Sequence, residues 1–220
     1  INENLSLNLG LDLRTYNGDH YRQVTNFLGL NGWTESRFLR DNNHVIPNPN
    51  TLPSATNIVS QSYGTNPWTS FFNTASNSQK IDYDYSETIS YGGVFGQLEY
   101  SKDNFSAFAQ GSISNQSHQR FDYYDYQNEY QKSEKLNNLG YNIKAGGSYT
   151  IDNKHAFYVN SGLYSRQPYH DNIFLNFTNQ VNPLTSNEKV LGFETGYTFK
   201  SKIFTGSLNA YRTTWEDRVV

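Results

Sequence analysis

Leu5, Leu7, Leu9, Leu11 and Leu13 alternate with Ser6, Asn8, Gly10, Asp12 and Arg14. Successive side chains of a β-strand point to opposite faces. One face is therefore pure leucine, and the other ends in a carboxylate and a guanidinium. The pattern recurs. Residues 139–151 place Leu139, Tyr141, Ile143, Ala145, Gly147, Tyr149 and Ile151 against Gly140, Asn142, Lys144, Gly146, Ser148 and Thr150. Residues 105–113 set Phe105, Ala107, Ala109, Gly111 and Ile113 on one face, and residues 191–199 set Leu191, Phe193, Thr195, Tyr197 and Phe199 on one face. Weaker alternation predicts strands near 88–100, 154–165 and 203–215. In the first of these, Gln97 and Glu99 favour an apolar face made of Val94, Leu98 and Tyr100.

The connections fall into two kinds. Residues 101–104, 152–154 and 200–202 are short, polar hairpin turns. The others are long and span about 16–87, 116–138 and 166–188. Short turns at one end and long loops at the other describe a transmembrane β-barrel. The first strand then rises into the longest loop, so Arg14 marks the outer end and Ile1 the periplasmic side. A loop as long as 16–87 predicts local structure or a covering partner. Residues 21–30 predict a short helix stopped near Gly29 or Gly32. The proline-rich 46–53 predicts an extended run, and 121–126 a strand prolonged beyond the membrane.

Composition narrows the picture. The apolar fraction is 35%, below the ~45–50% usual for globular domains, while aromatics reach 16% with 18 Tyr and 14 Phe. Mean hydropathy is −0.75, and no run approaches the ~18 apolar residues of a membrane helix. Alternation halves the hydropathy of each segment, so a barrel remains open. The absence of Cys excludes disulfides and thiol chemistry. A net charge of −3 marks no nucleic-acid surface. The chain has no Met and begins inside an alternating run, the expectation for an internal or processed piece.

Candidate chemistry is sparse, and no catalytic, metal or cofactor residue is assigned. His20, His44, His118, His155 and His170 lack metalloprotease spacing and read as surface or loop histidines. Asp82, Asp84, Glu87, Asp122 and Asp125 form no Asp-x-Asp-x-Asp-Gly loop and read as solvated acids. Gly92-Gly93 and Gly146-Gly147 open no helix, so they read as strand glycines over which aromatics pack. No Gly-x-Ser-x-Gly elbow exists. Asp12, Arg14, Lys144, Arg166 and Glu194 are candidates for a water-filled interior, where they contact a ligand or plug or simply solvate it. Trp33, Trp68, Tyr123 and Tyr124 are loop aromatics that stack on a ligand or hold the loops together. Tyr100, Tyr149, Tyr197 and Phe199 lie near the short turns and read as an aromatic girdle.

Several stretches carry a resemblance. They are Gly18-Asp19-His20-Tyr21-Arg22-Gln23-Val24 with Phe27-Leu28-Gly29, then Gly92-Gly93-Val94-Phe95-Gly96-Gln97-Leu98-Glu99-Tyr100. Asn160 to Pro168, Asn187-Glu188-Lys189-Val190, Glu194 to Tyr197, and Leu208 to Arg218 complete the set. Together they resemble the C-terminal part of the barrel of Bacteroidetes-type TonB-dependent receptors. The resemblance implies an all-β, antiparallel up-and-down transmembrane β-barrel of about 22 strands around an N-terminal plug, of which this chain supplies about seven strands and no plug. It further implies bacterial outer-membrane location and nutrient import (siderophore, glycan, peptide or vitamin). The implied partners are outer-membrane lipid, the protein's own plug, the TonB–ExbB–ExbD complex and a surface lipoprotein lid. The alternatives are a non-transporting barrel scaffold in an envelope complex and a soluble lectin-like sandwich.

Overall fold

A computed structural model describes residues 3–40 and 54–218. Seven strands form one antiparallel sheet: β1 (Leu5–Gln23), β4 (Lys80–Lys102), β5 (Phe105–Asp122), β6 (Leu136–Ile151), β7 (His155–Arg166), β8 (Glu188–Lys200) and β9 (Thr205–Glu216). Their order is β1-β4-β5-β6-β7-β8-β9, each strand beside its successor in the sheet. A separate two-stranded sheet of β2 (Trp33–Phe38) and β3 (Ser54–Val59) lies within the first long connection. Two one-turn helices, α1 (Pro67–Ser70) and α2 (His170–Ile173), and three 3₁₀ turns make up the remaining elements among the described residues. No described helix is long and apolar enough to cross a membrane.

Residues directly opposite in an antiparallel pair share a face, so the register fixes which side chains stand together. Leu9 pairs with Gly96, Gly96 with Gly111, Gly111 with Ile143, Ile143 with Leu163 and Leu163 with Leu191. One row away, Leu11, Val94, Ile113 and Tyr141 follow one another across four strands. The five leucines thus continue as one apolar face, and Val94, Leu98 and Tyr100 belong to it. Near the short turns the same face carries the row Phe105, Tyr149, Phe157 and Tyr197, with the Phe157 and Tyr197 rings 4.8 Å apart. The apolar character fades at β9, where Arg212 sits on this face opposite Phe193.

The opposite face is polar. Glycines on it admit flat aromatics from the neighbouring strand: a Cβ at Gly10 would meet the Phe95 ring, one at Gly146 the Phe108 ring and one at Gly196 the Tyr158 ring. Ring over glycine closes the gap left by the missing side chain.

The short turns form where polar residues accept left-handed backbone. Asp103 has φ 50°, Asp152 51° and Asn153 50°, positions Asp and Asn tolerate better than other non-glycine residues. At the other end the strands run further than alternation indicates. Residues 16–23 and 80–87, read as loop, pair as the upper part of β1 and β4, with a bulge after Tyr21. Asp82, at φ 65°, lies in that bulge. β5 likewise continues to Asp122. The helix expected over 21–30 does not form. Tyr21 to Gln23 are captured by β4. Asn26 Oδ1 accepts the Leu28 N–H at 2.7 Å, an Asx turn that competes with helix, and Leu28 and Gly29 take positive φ. The extended run expected at 46–53 lies outside the described residues, as does His44.

Most of the burial lies at the long-loop end. Tyr124, Tyr126, Ile173, Phe174 and His118 are buried there, whereas Leu9 is 74% exposed. Among the described residues nothing covers the apolar face of the sheet beside the leucines.

Candidate functional site: the polar face and its buried cap

The polar face carries Asp12, Arg14, Lys144, Arg166 and Glu194, each by strand parity with its neighbours. They do not form one cluster. Arg14 bonds Asp12 on its own strand and lies over the Tyr91 ring at 5.3 Å. Arg166 pairs with Glu188 at 2.5 Å. Glu194 accepts from Tyr158 Oη at 2.7 Å, and Tyr158 also reaches Asn209 at 3.2 Å. Lys144 stands 5.5 Å from the Phe108 ring. Lys144 and Glu194 are brought to one cavity of about 400 Å³, with Asn160, Tyr164 and Tyr211. A neighbouring hollow of about 550 Å³ shares Lys144 and Asn160 and adds Glu99, Gln110 and Tyr158. Amides, phenols and single charges of both signs suit hydrogen bonding to a polar solute or to another protein segment.

The loop aromatics separate. Trp33 pairs across from Val59, and Trp68 on α1 is 87% exposed. Tyr123 is half-exposed and exchanges a 3.0 Å hydrogen bond with Ser86. Tyr124 is buried. The Arg37 guanidinium lies 3.6 Å over its ring and its hydroxyl donates to Glu35. Burial and that carboxylate push the Tyr124 phenol up to about 12. It fastens the β2–β3 sheet to the β4–β5 hairpin and offers no free ring to a ligand.

A cluster that sequence reading treated as solvated loop groups is buried at the top of the polar face. His118, Arg120 and Asp122 alternate along β5, so they share its polar side, and all three are buried. The loop carrying α2 folds over them. His118 Nδ1 and His170 Nδ1 are 3.2 Å apart, so one nitrogen carries the proton and the other its lone pair. Glu87 approaches from β4, 3.2 Å from His170 Nε2 but off the hydrogen-bonding direction, and 3.3 Å from His20 Nε2. Burial depresses His118 to about 4. Burial, then the neighbouring His118, Arg120 and His20, depress His170 to about 4. Both imidazoles are therefore neutral at pH 7.

Arg120 bonds Asp122 at 3.1 Å and stacks on Tyr85 at 3.9 Å. Asp122 Oδ1 accepts the backbone N–H groups of Tyr124 and Asp125, which turns the chain out of β5. Burial, then the charge of Asp122, push the Asp125 carboxyl up to about 6. The signal that was available is the i, i+2, i+4 spacing of His118, Arg120 and Asp122. Among the described residues no group of three or more His, Cys, Asp or Glu is placed to hold a metal ion.

Set beside protein families, curated proteins and solved structures, the chain finds no match. What the fold defines is a class: an all-β chain with one seven-stranded antiparallel sheet, apolar on one side and polar on the other.

Proposed function

We propose that this chain is part of the wall of a transmembrane β-barrel in a bacterial outer membrane, in a TonB-dependent receptor that imports a nutrient. One observation carries the reading: a single bare apolar face runs in register across the sheet, with short turns at one end and long loops at the other. A face left so exposed in water is unfavourable at roughly 25 cal/mol per Å², and lipid is the solvent that removes the cost. The aromatic row beside the short turns fits an interfacial girdle. Arg212 on that face is consistent where its stem lets the guanidinium reach the polar boundary.

On this reading the polar face lines the interior. Asp12, Arg14, Lys144, Arg166 and Glu194 contact solute or the plug. The capped long-loop end faces outward, where a surface lipoprotein docks. TonB–ExbB–ExbD supplies the energy through the plug, and this chain catalyses nothing. The edges of β1 and β9 pair with further strands. Uptake by cells carrying the full-length gene, with and without TonB, tests the proposal. Accumulation of the imported solute is expected to stop when TonB is deleted, and uptake that persists overturns the importer.

A further inference from the structure

The loop that carries α1 lies on the apolar side of the sheet, beyond the last leucine. Asp19 and Tyr21 continue the parity of Leu5 to Leu13 along β1, and Asp84 and Ser86 continue it along β4. The loop is tied high on this side, where the Ala75 N–H donates to Gln23 Oε1 at 3.1 Å and the Tyr63 N–H to the Val24 carbonyl at 2.9 Å. From there it turns back toward the leucines. Ser70, Phe71 and Thr74 stand beside Asp19 and Tyr21 around a cavity of about 550 Å³. Between Leu13 and this loop the face carries only uncharged polar groups, with Thr15 and Ser90 hydroxyls 3.2 Å apart and Thr88 bonded to Asn17 at 2.9 Å.

The tip of the loop is aromatic. Trp68, Phe71 and Phe72 are 87%, 80% and 85% exposed. Large aromatics of this kind bury 150–250 Å² each when covered, and exposed apolar patches mark a surface that meets something. Residues 54–79 contain no charged side chain. A charge-free segment tipped with Trp and Phe suits the boundary of a bilayer, where amphipathic rings settle at headgroup level and charges are costly. A protein partner predicts charged groups on such a segment to set its orientation; residues 54–79 supply none, and the nearest charges, Asp19 and the Lys80–Asp84 pair, line the cavity under Phe71, whose walls include neither Trp68 nor Phe72.

We propose that the Trp68–Phe71–Phe72 knuckle seats on the lipid surface beside the wall, as an anchor for the longest loop. The proposal rests on the membrane-wall reading. The chain contains no Cys, so a single cysteine reports its own site once any cysteine elsewhere in the full-length protein is replaced by serine. Phe72→Cys carries an environment-sensitive fluorophore in the full-length protein, reconstituted in phosphatidylcholine vesicles with or without headgroup-nitroxide lipid. Leu9→Cys, read with acyl-chain nitroxide, reports on the wall. Leu184→Cys, exposed on the loop that covers the polar face, is the aqueous reference.

The label at 72 is expected to emit further to the blue than the label at 184 and to lose much of its emission to headgroup nitroxide. No quenching at 72 while 9 is quenched overturns the anchor and leaves the wall standing. A blue-shifted but unquenched label at 72 means that protein covers the knuckle, and also overturns it. No quenching at 9 removes the wall reading and the anchor with it.

Discussion

Replacing Leu9 with Arg places a charge at the middle of the apolar face. Leu5 to Leu13 span about 26 Å at ~3.3 Å per residue, or about 20 Å along the membrane normal at the ~40° tilt of barrel strands. Leu9 is the midpoint, with Leu7 and Leu11 beside it and Gly96 across from it, so no neighbouring side chain offers a polar partner. An arginine at a bilayer midplane costs about 2–4 kcal/mol, or roughly 30- to 1000-fold in the folding equilibrium. Asn8→Arg supplies the comparison. Asn8 is one residue away on the polar face, opposite Gln97, and an arginine there meets water at a cost within about 0.5 kcal/mol. The assay is denaturant unfolding of the full-length protein in phosphatidylcholine vesicles. A large loss for Leu9→Arg with little for Asn8→Arg is expected. Equal losses, or none for Leu9→Arg, would refute the assignment of this face to lipid.

Three further outcomes follow from the polar face and its cap. His118 and His170 titrate near 4 when folded against ~6.5 when unfolded, so the unfolded loop takes up protons first and stability falls as pH drops from about 6.5 toward 4. The protection factors of the α2 amides, which correct exchange rates for the slower intrinsic exchange in acid, should therefore fall at pH 5 relative to pH 7.5. Asp125, raised to about 6, acts in the opposite sense in its own segment, so unchanged α2 protection would count against the histidine pair. Gly146→Ala brings a Cβ to 2.8 Å from the Val159 carbonyl oxygen and into the Phe108 ring, for an expected loss of about 1–3 kcal/mol. Gly192→Ala meets nothing nearer than the Gly162 oxygen at 4.0 Å and should stay within about 0.5 kcal/mol, both read by denaturant unfolding. Asp122→Ala strands the buried Arg120 and frees two backbone N–H groups, for about 3–5 kcal/mol. Proteolysis in the 123–133 segment should then rise while the rest of the sheet stays protected.

Alternation of side chains was enough to locate the strands wherever their two faces meet different surroundings. It found the leucine strand, the hairpin turns at 101–104 and 152–154, and the membership of Val94, Leu98 and Tyr100 in the apolar face. It stopped where the surroundings became alike. Above Leu13 and Ile113 both faces of β1, β4 and β5 are polar, so the ladders to Gln23, Lys80 and Asp122 left no pattern to read. They are held by backbone pairing, which carries little side-chain signature.

What the sequence by itself determined is therefore two-sidedness: which residues share a face, because a strand's period of two is local. Which strands stand beside one another, and what covers each face, belong to the tertiary structure. Lys144 and Glu194 line one cavity only through the register of three strands. His118 reaches His170 only because a loop distant in the chain folds back over β5. Tyr124 is buried rather than offered because Arg37 and Glu35, far off in the sequence, close on it. Such contacts join residues dozens of positions apart, and only chain closure brings them into reach.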